Sequence, residues 1–469
     1  MRAKNILRFL LVTLTFLTVV MTAQYNNTSH AQGKIYIDVG KAQIKKSLLA
    51  LPSFQYYGSK SDRKAIKAGQ ELFTVVSNDL NVSDFFTFIK PEAFLEDTSK
   101  VGLKPAPGSA NGFKFEKWKT IGTEFLIRGG YHFVRGNIKL EVYLYYVPQA
   151  KLVFGKSYEG PDNALRKLAH TFADDVIENL TGKKGIFNTK IVVASDYGGT
   201  RHKGIWIMDW DGANKQKITH EKTVHISPAW SIDGKKIAYT AYAYHPKAKI
   251  RNADLFMYEL ETAKRWLLSF RKGINSGANF MPDGKHLLLT LSQEGNPDIF
   301  RMTLDGKNLT RITNGPNRAM NVEPAISPDG TMIAFSSDRG GKPMIYTMSS
   351  NGSNIKRITE AGRYNATPSW SPDSKRFVFA GFDKGHFDLF IVDRNGLNME
   401  RLTSAKKTNG KWADNESPTF SPDGRYIMFT SNRSGKHQLY LISPDGTNER
   451  RITFDNYNYT KPEWSPYLK

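Results

Sequence analysis

The tetrapeptide Ser421-Pro422-Asp423-Gly424 and its repeats decide the fold of this chain. Related turns are Ser231-Ile232-Asp233-Gly234, Met281-Pro282-Asp283-Gly284, Ser327-Pro328-Asp329-Gly330, Ser371-Pro372-Asp373-Ser374 and a shortened Ser465-Pro466. The steps between them are 50, 46, 44, 50 and 44 residues, which is typical of one four-stranded blade of a β-propeller. Because Pro, Asp and Gly favour turns, we interpret the tetrapeptide as structural.

A second repeated element, the end of an outer strand, gives the number of blades. It occurs as Lys217-Ile218-Thr219, Trp266-Leu267-Leu268, Arg311-Ile312-Thr313, Arg357-Ile358-Thr359, Arg401-Leu402-Thr403 and Arg451-Ile452-Thr453. Residues 190–195 match a second strand with no first strand before them, and residues 461–466 supply that strand at the far end of the chain. Closing the ring in this way leaves no large open sheet edge. The sequence therefore predicts an all-β six-bladed β-propeller over residues 189–469.

The first 31 residues have the pattern of a secretory signal peptide. Basic residues accompany an apolar run, residues 9–21, and the small residues Ser29 and Ala31 offer a cleavage site. The alternative interpretation, a transmembrane anchor, needs about 20 apolar residues. No later stretch is apolar enough to cross a bilayer. We therefore expect an exported mature chain without a membrane span.

Composition restricts the possible functions. The chain contains no cysteine, so disulfides and thiolate metal sites are impossible. Its formal net charge is +22, but the basic residues are diffuse and do not alternate with aromatic residues along a strand. This pattern disfavours nucleic-acid binding and favours an acidic surface or partner.

Residues 32–188 are predicted to form a separate α+β domain. Apolar residues at helical spacing predict a helix over residues 62–80, and a second helix opens at Pro161-Asp162 and ends at Thr181-Gly182. Strand-like runs are residues 35–37, 47–51, 125–127, 138–147 and 151–158. Two helices on a small mixed sheet account for this pattern.

Three further motifs resemble a known family. They are Trp118-Lys119-Thr120-Ile121-Gly122-Thr123-Glu124-Phe125-Leu126-Ile127-Arg128-Gly129, Ala169-His170-Thr171-Phe172-Ala173-Asp174-Asp175 and Leu180-Thr181-Gly182-Lys183-Lys184-Gly185-Ile186-Phe187-Asn188-Thr189. With the domain order and the terminal Trp464-Ser465-Pro466-Tyr467-Leu468, they resemble the TolB family of periplasmic Tol-Pal system proteins. The resemblance covers nearly the whole mature chain. It implies a non-enzymatic binding protein of the Gram-negative periplasm that supports outer-membrane integrity and envelope constriction at division.

The resemblance also implies two partners. In this family the first mature residues bind the inner-membrane protein TolA, and the propeller binds the peptidoglycan-associated lipoprotein Pal at one mouth of its channel. The corresponding N-terminal residues, Ile35, Ile37, Asp38 and Gly40, keep the family spacing. The chain departs from the family in its basic charge and in a longer blade loop, residues 241–253.

The starts of the innermost strands supply candidates for the Pal-type site. Each of these strands begins just before its turn, so the first residues are expected to ring the channel mouth. The candidates are His225, Asn275, Gly277, Asn321, Glu323, Thr367, Ser417 and Lys461. Asn recurs at these starts, and an Asn that bonds its own backbone explains the recurrence equally well. Both interpretations fit the sequence.

The sequence contains no catalytic motif of the common kinds. It lacks the Gly-Xaa-Ser-Xaa-Gly elbow, the His-Glu-Xaa-Xaa-His zinc motif and the P-loop, and its ten histidines are scattered. We therefore predict neither an enzyme nor a cofactor. An exported propeller that binds a glycan or a metal ion in its channel is the alternative function.

Overall fold

The computed structural model describes residues 45–58, 62–199, 201–245 and 250–468. These residues divide into two compact units, namely 45–162 with 179–182 and 163–178 with 183–468. The predicted signal segment and the predicted TolA-binding residues lie outside the described residues. Each unit is considered by itself below.

The first unit contains a mixed six-stranded sheet. Its strands are β1 Ser47–Ala50, β2 Gln55–Tyr56, β3 Phe86–Phe88, β4 Phe125–Val134, β5 Asn137–Tyr146 and β6 Lys151–Pro161. The order is β3-β1-β4-β5-β6, with β2 beside β4. Strands β1 and β2 make parallel pairs, whereas β4, β5 and β6 form an antiparallel meander. Alternate residues of β5 are buried, as the alternating pattern predicts for a sheet with one packed face.

Helix α1, Arg63–Val82, confirms the first predicted helix. The carboxylate of Asp62 caps it by accepting hydrogen bonds from the amides of Lys64 at 2.9 Å and Ala65 at 3.2 Å, which otherwise lack helical partners. A short helix that the sequence did not reveal, α2, spans Phe115–Thr120. It buries Trp118, and six residues are too few to show a helical period.

Helix α3, Leu165–Thr181, confirms the second predicted helix. Gly182 follows it with a φ of +71°, a conformation that glycine adopts at low cost after a helix end. Residues Asn163–Glu178, which include most of the helix, belong to the same compact unit as the propeller, whereas the predicted boundary at 188/189 grouped the whole helix with the sheet. None of the described helices is both long and apolar enough to cross a membrane.

The second unit contains the six predicted blades, each a four-stranded antiparallel sheet. Strands are given from the axis outward. Blade 1 consists of β30 Tyr459–Trp464, β7 Lys190–Ser195, β8 Gly204–Asp209 and β9 Gln216–Lys217, and blade 2 of β10 His225–Trp230, β11 Lys236–His245, β12 Ile250–Glu259 and β13 Arg265–Ser269. Blade 3 consists of β14 Asn275–Phe280, β15 His286–Leu291, β16 Asp298–Thr303 and β17 Leu309–Arg311, and blade 4 of β18 Asn321–Ile326, β19 Met332–Ser337, β20 Met344–Ser349 and β21 Lys356–Arg357. Blade 5 consists of β22 Tyr364–Trp370, β23 Arg376–Asp383, β24 His386–Asp393 and β25 Glu400–Arg401, and blade 6 of β26 Asn415–Phe420, β27 Ile427–Ser434, β28 Lys436–Ile442 and β29 Arg450–Arg451.

The chain closes the ring as the sequence predicts. Strand β30 pairs with β7, with Tyr459 opposite Ser195 and Trp464 opposite Ile191. The indole nitrogen of Trp464 donates to Thr189 Oγ1 at 2.7 Å. The first blade is therefore built from both ends of the propeller sequence, and β30 covers the inner edge of β7.

The Ser-Pro-Asp-Gly turns are structural, as predicted. In blade 6 the hydroxyl of Ser421 donates to Asp423 Oδ1 at 2.6 Å and accepts from the amide of Tyr426 at 3.0 Å. Gly424 has a φ of +73°, which favours glycine. We call the end of the propeller that carries these turns the turn end, and the opposite end, where the innermost strands begin, the mouth end.

Adjacent blades pack through apolar clusters between their faces. Between blades 1 and 2, for example, Val192 and Ile205 pack with Trp230 and Ile237. Equivalent clusters join blades 2 to 3, 3 to 4, 4 to 5 and 5 to 6. Because each blade buries both faces, its strands read as nearly continuous apolar runs.

The segment predicted as a long loop, residues 241–253, is instead an extension of two strands. Strands β11 and β12 stay paired as far as His245 and Ile250, so each strand has 10 residues, compared with 6 in the corresponding strands of blade 3. The alternation of Tyr242 and Tyr244 with alanines is a strand pattern. The length of the repeat by itself does not distinguish a longer loop from longer strands.

Candidate functional site at the propeller channel

Each innermost strand contains a β-bulge near its start. Pairing with the second strand shifts register at the same place in every blade, for example between Val322 and Ala325 in blade 4. One residue in each bulge has a φ between +49° and +64°: Ser227, Gly277, Glu323, Thr367, Ser417 and Lys461. A bulge leaves its extra residue out of the ladder and re-aims its side chain. All six residues line a cavity of about 470 Å³.

Proline follows the bulge residue in five blades. These prolines are Pro228, Pro324, Pro368, Pro418 and Pro462, and Ala278 takes their place in blade 3. Proline cannot donate to a ladder, so it is tolerated inside a strand mainly at a bulge. A proline at the same position in five of the six innermost strands is the sequence signal that could have located the bulges.

An ion pair crosses the channel. Glu323 and Lys461 belong to blades 4 and 1, on opposite sides of the six-membered ring, and their side chains pair at 2.5 Å. The carboxylate of Glu323 also accepts a hydrogen bond from the amide of Thr367 at 3.0 Å. Burial opposes the charge on Glu323, but Lys461 and Thr367 outweigh burial and hold the pKa of Glu323 below its usual range.

Two other carboxyl groups near the axis resist ionisation. Burial raises the pKa of Glu463 to about 8, although its carboxylate accepts a hydrogen bond from the amide of Trp230 at 3.0 Å. Burial and the charge of Asp414 raise the pKa of Glu416. The channel therefore combines an ion pair with a second carboxyl group, Glu463, whose ionisation is opposed by burial.

Glu463 is expected to make stability depend on pH. Its pKa is about 8 in the folded chain and 4.5 for an ordinary glutamate, so folding becomes less favourable as the pH rises from 4.5 to 8. Glu463→Gln keeps an acceptor for Trp230 and removes this cost, roughly 3 kcal/mol at pH 7. Thermal unfolding at pH 5, 7 and 8 should show a stabilisation that grows with pH. The same substitution at the exposed Glu261 should show none, and a pH-independent difference would contradict the prediction.

Five of the eight predicted mouth residues line the channel and three do not. Gly277, Glu323, Thr367, Ser417 and Lys461 are at the bulges and face the cavity. His225, Asn275 and Asn321 are buried inside their blades, with at most 1% of their surface exposed. The sequence analysis predicted these three at the channel mouth because it assumed that the first residues of each innermost strand face the axis. The bulge changes which positions face the axis.

Hydrogen bonds inside the blades explain the recurring asparagines. The side-chain amide of Asn275 donates to the backbone oxygens of Ala253 at 3.0 Å and Arg271 at 2.6 Å. That of Asn321 donates to Asp298 Oδ1 at 2.8 Å. These bonds satisfy buried polar groups of strands β12 and β16 and of the loop that precedes β14. The structural interpretation of the asparagines therefore accounts for their positions.

Carboxylates and a histidine also gather beside α3, away from the channel. His170, Asp209 and Asp211 could reach one metal ion. However, Arg166 pairs with both carboxylates, and Lys190 pairs with Asp209. These basic groups already balance the acidic charge, so the cluster is explained as an ion-pair network that fastens α3 to blade 1.

Comparison with protein families agrees with the arrangement of both units. The family described as TolB beta propeller domain matches residues 177–468, and the family described as TolB amino-terminal domain matches residues 35–153. Relatives named Tol-Pal system protein TolB, from Desulfosudis oleivorans and Rickettsia massiliae, are 32% and 31% identical over 279 residues. These alignments cover 59% of this chain and 60% and 59% of the relatives, so the chain spans less than two thirds of their length.

A solved structure is similar over most of the chain. The crystal structure of TolB from Acinetobacter baumannii has a TM-score of 0.72 and 25% sequence identity to this chain. The match covers 92% of this chain and 100% of the other. Similarity therefore extends beyond the propeller to the arrangement of elements that precede it.

Proposed function

This chain belongs to the TolB family, and on that premise we propose that it is a non-enzymatic binding protein of the Gram-negative periplasm. It joins TolA to the lipoprotein Pal, and so supports outer-membrane integrity and envelope constriction during division. The naming of its relatives as Tol-Pal system proteins supports this role. The N-terminal signal pattern supports export.

The observation that carries the proposal is the convergence of six bulge residues on one channel. Ser227, Gly277 and Glu323 come from consecutive blades, and Thr367, Ser417 and Lys461 complete the ring. Their side chains are small or polar, apart from the ion pair. A cavity of about 470 Å³ with such walls suits the insertion of a protein loop. We assign this insertion to Pal.

Exposed aromatic residues mark the same end of the propeller. Among the described residues, its six exposed aromatic side chains all lie at the mouth end: Tyr242, Tyr244, Phe270, Tyr364, Trp412 and Phe454. At the turn end, the exposed side chains of comparable size among the described residues are non-aromatic: Ile232, Ile355, Leu397 and Met399. Tyrosine, tryptophan and phenylalanine are enriched in protein interfaces, so the mouth end is the better docking surface.

Calorimetric titration of the mature chain with the purified periplasmic domain of Pal tests this function. A panel of glycans and divalent cations, titrated in parallel, tests the alternative of a sugar or metal ion in the channel. Saturable binding of Pal without glycan binding supports the proposal. Binding of a glycan alone would replace it with the lectin-like alternative.

Deleting residues 33–43 is expected to abolish TolA binding and to leave Pal binding unchanged. The segment contains Ile35, Ile37, Asp38 and Gly40, which keep the family spacing, and it ends before residue 45, the first described residue. Pull-down with the periplasmic domain of TolA measures the loss, and calorimetry with Pal provides the control. Wild-type TolA binding after the deletion would remove this segment from the interface.

A further inference from the structure

Charge is distributed unequally between the two ends of the propeller. The described connections between strands at the mouth end hold 13 Lys or Arg and 7 Asp or Glu, whereas those at the turn end hold 8 and 10. The excess positive charge of the propeller connections is thus concentrated where the channel opens. Such a field attracts an acidic partner surface and raises its association rate.

The extended hairpin of blade 2 stands at this basic end. Its strands β11 and β12 carry the exposed Tyr242, Tyr244 and Arg251 beyond the point where the neighbouring strand β10 begins. Thr240, on the same side of β11, donates to the backbone oxygen of Asn275 at 3.2 Å in blade 3. Alternation along the strand therefore places both tyrosines on the side that faces blade 3.

The hairpin is held in place by the next loop. Ala253 forms a β-bridge with Ile274. The side-chain amide of Asn252 donates to the backbone oxygen of Arg271 at 2.9 Å, and its oxygen accepts from the amide of Gly273 at 2.9 Å. The loop, residues 270–274, also exposes Phe270 and Lys272. Aromatic and basic side chains are therefore presented on a preorganised surface, which reduces the entropy lost on binding.

We propose that the blade 2 hairpin, residues 242–245 and 250–254, and the loop 270–274 form a docking platform beside the channel for an acidic face of the partner protein. This inference rests on the proposed function and specifies the chemistry of the partner. Tyrosines and Phe270 supply buried contacts, whereas Arg251 and Lys272 attract the acidic face. Ile274 connects the platform to the channel, because it also lines the cavity.

The platform is tested by the binding kinetics of full-length mature variants with the Pal periplasmic domain. Tyr242→Ala with Tyr244→Ala should weaken affinity about 10-fold, mainly through faster dissociation. Arg251→Glu with Lys272→Glu should slow association about 10-fold at low salt and much less at 0.5 M salt. The matched controls, Lys285→Glu with Lys307→Glu at the turn end of blade 3, should stay within about twofold of wild type. Circular dichroism and thermal unfolding confirm that each variant folds.

Three other outcomes would contradict the platform or the proposed function. Wild-type kinetics in both platform variants, with binding lost in a channel variant, would overturn the platform and leave the proposed function intact. Equal slowing by the turn-end control would show a general charge effect and overturn the platform as a specific surface. No binding of Pal to the wild-type chain would overturn the proposed function and this inference together.

Discussion

Replacing Gly277 with tryptophan is expected to weaken Pal binding at least about 30-fold, the equivalent of ~2 kcal/mol. Gly277 is the bulge residue of blade 3 and faces the channel. An indole there would occupy the space into which we propose that a loop of Pal inserts. Calorimetric titration with the Pal domain measures the effect.

The propeller should fold despite this substitution. The other five blades carry a side chain at the equivalent bulge position with a similar positive φ. A Cβ at Gly277 would meet no atom closer than 3.6 Å. We expect only the local cost of a left-handed backbone, roughly 1–2 kcal/mol.

Gly284 offers a matched control in the same blade. Its φ of +65° is close to the +64° of Gly277, but it lies in the turn at the opposite end, and a Cβ there would meet nothing within 4 Å. Gly284→Trp should therefore bear a similar backbone cost and leave Pal binding unchanged. Equal loss in both variants would indicate a general folding defect. Full affinity in both would place the Pal site away from this mouth.

Removing residues 459–469 is expected to have the largest effect on stability. The deletion removes β30, including the buried Tyr459 and Trp464, and exposes the inner edge of β7. It also breaks the hydrogen bonds from Trp464 to Thr189 at 2.7 Å and from the amide of Trp230 to Glu463 at 3.0 Å. We expect loss of cooperative unfolding and aggregation through the open edge, measured by calorimetry and light scattering.

Trp464→Ala is a graded version of the same experiment. Replacing a buried tryptophan by alanine costs about 3–5 kcal/mol, which corresponds to a fall in Tm of roughly 10 °C for a domain of this size. Phe454→Ala is the control, because 74% of that side chain is exposed, and its effect should be within about 0.5 kcal/mol. A cooperative, unshifted transition in the truncated chain would show that the ring does not need its closing strand.

Local sequence patterns were sufficient to predict the blades of the propeller, their closure and the two long helices. The period of the Ser-Pro-Asp-Gly turns predicted four-stranded blades, and the six outer strand ends gave their number, because a turn between two strands depends on residues only a few positions apart. The lone second strand at residues 190–195 and the lone first strand at residues 461–466 predicted the closure that the pairing of Tyr459 with Ser195 confirms. Helices α1 and α3 followed from their apolar period and end signals.

The orientation of side chains at the channel was decided by the tertiary structure. A bulge shifts register by one residue, and alternation of side chains then places different positions on the axis. Gly277 and Lys461 consequently face the channel, whereas Asn275 and His225 are buried in the blades. The proline that follows five of the six bulges carried this information, but repeat spacing alone did not reveal it.

Contacts between residues that are distant in the sequence could not be predicted from local sequence patterns either. The pairing of Glu323 with Lys461 joins residues from opposite blades, and the anchoring of the blade 2 hairpin depends on Asn252 meeting the loop 270–274. Sequence by itself determined the repeat, the blade number and the closing strand, since these depend on short-range turns and strand periodicity. Only the closed ring decided which side chains share the channel, because that proximity exists only after six separate segments have packed around one axis.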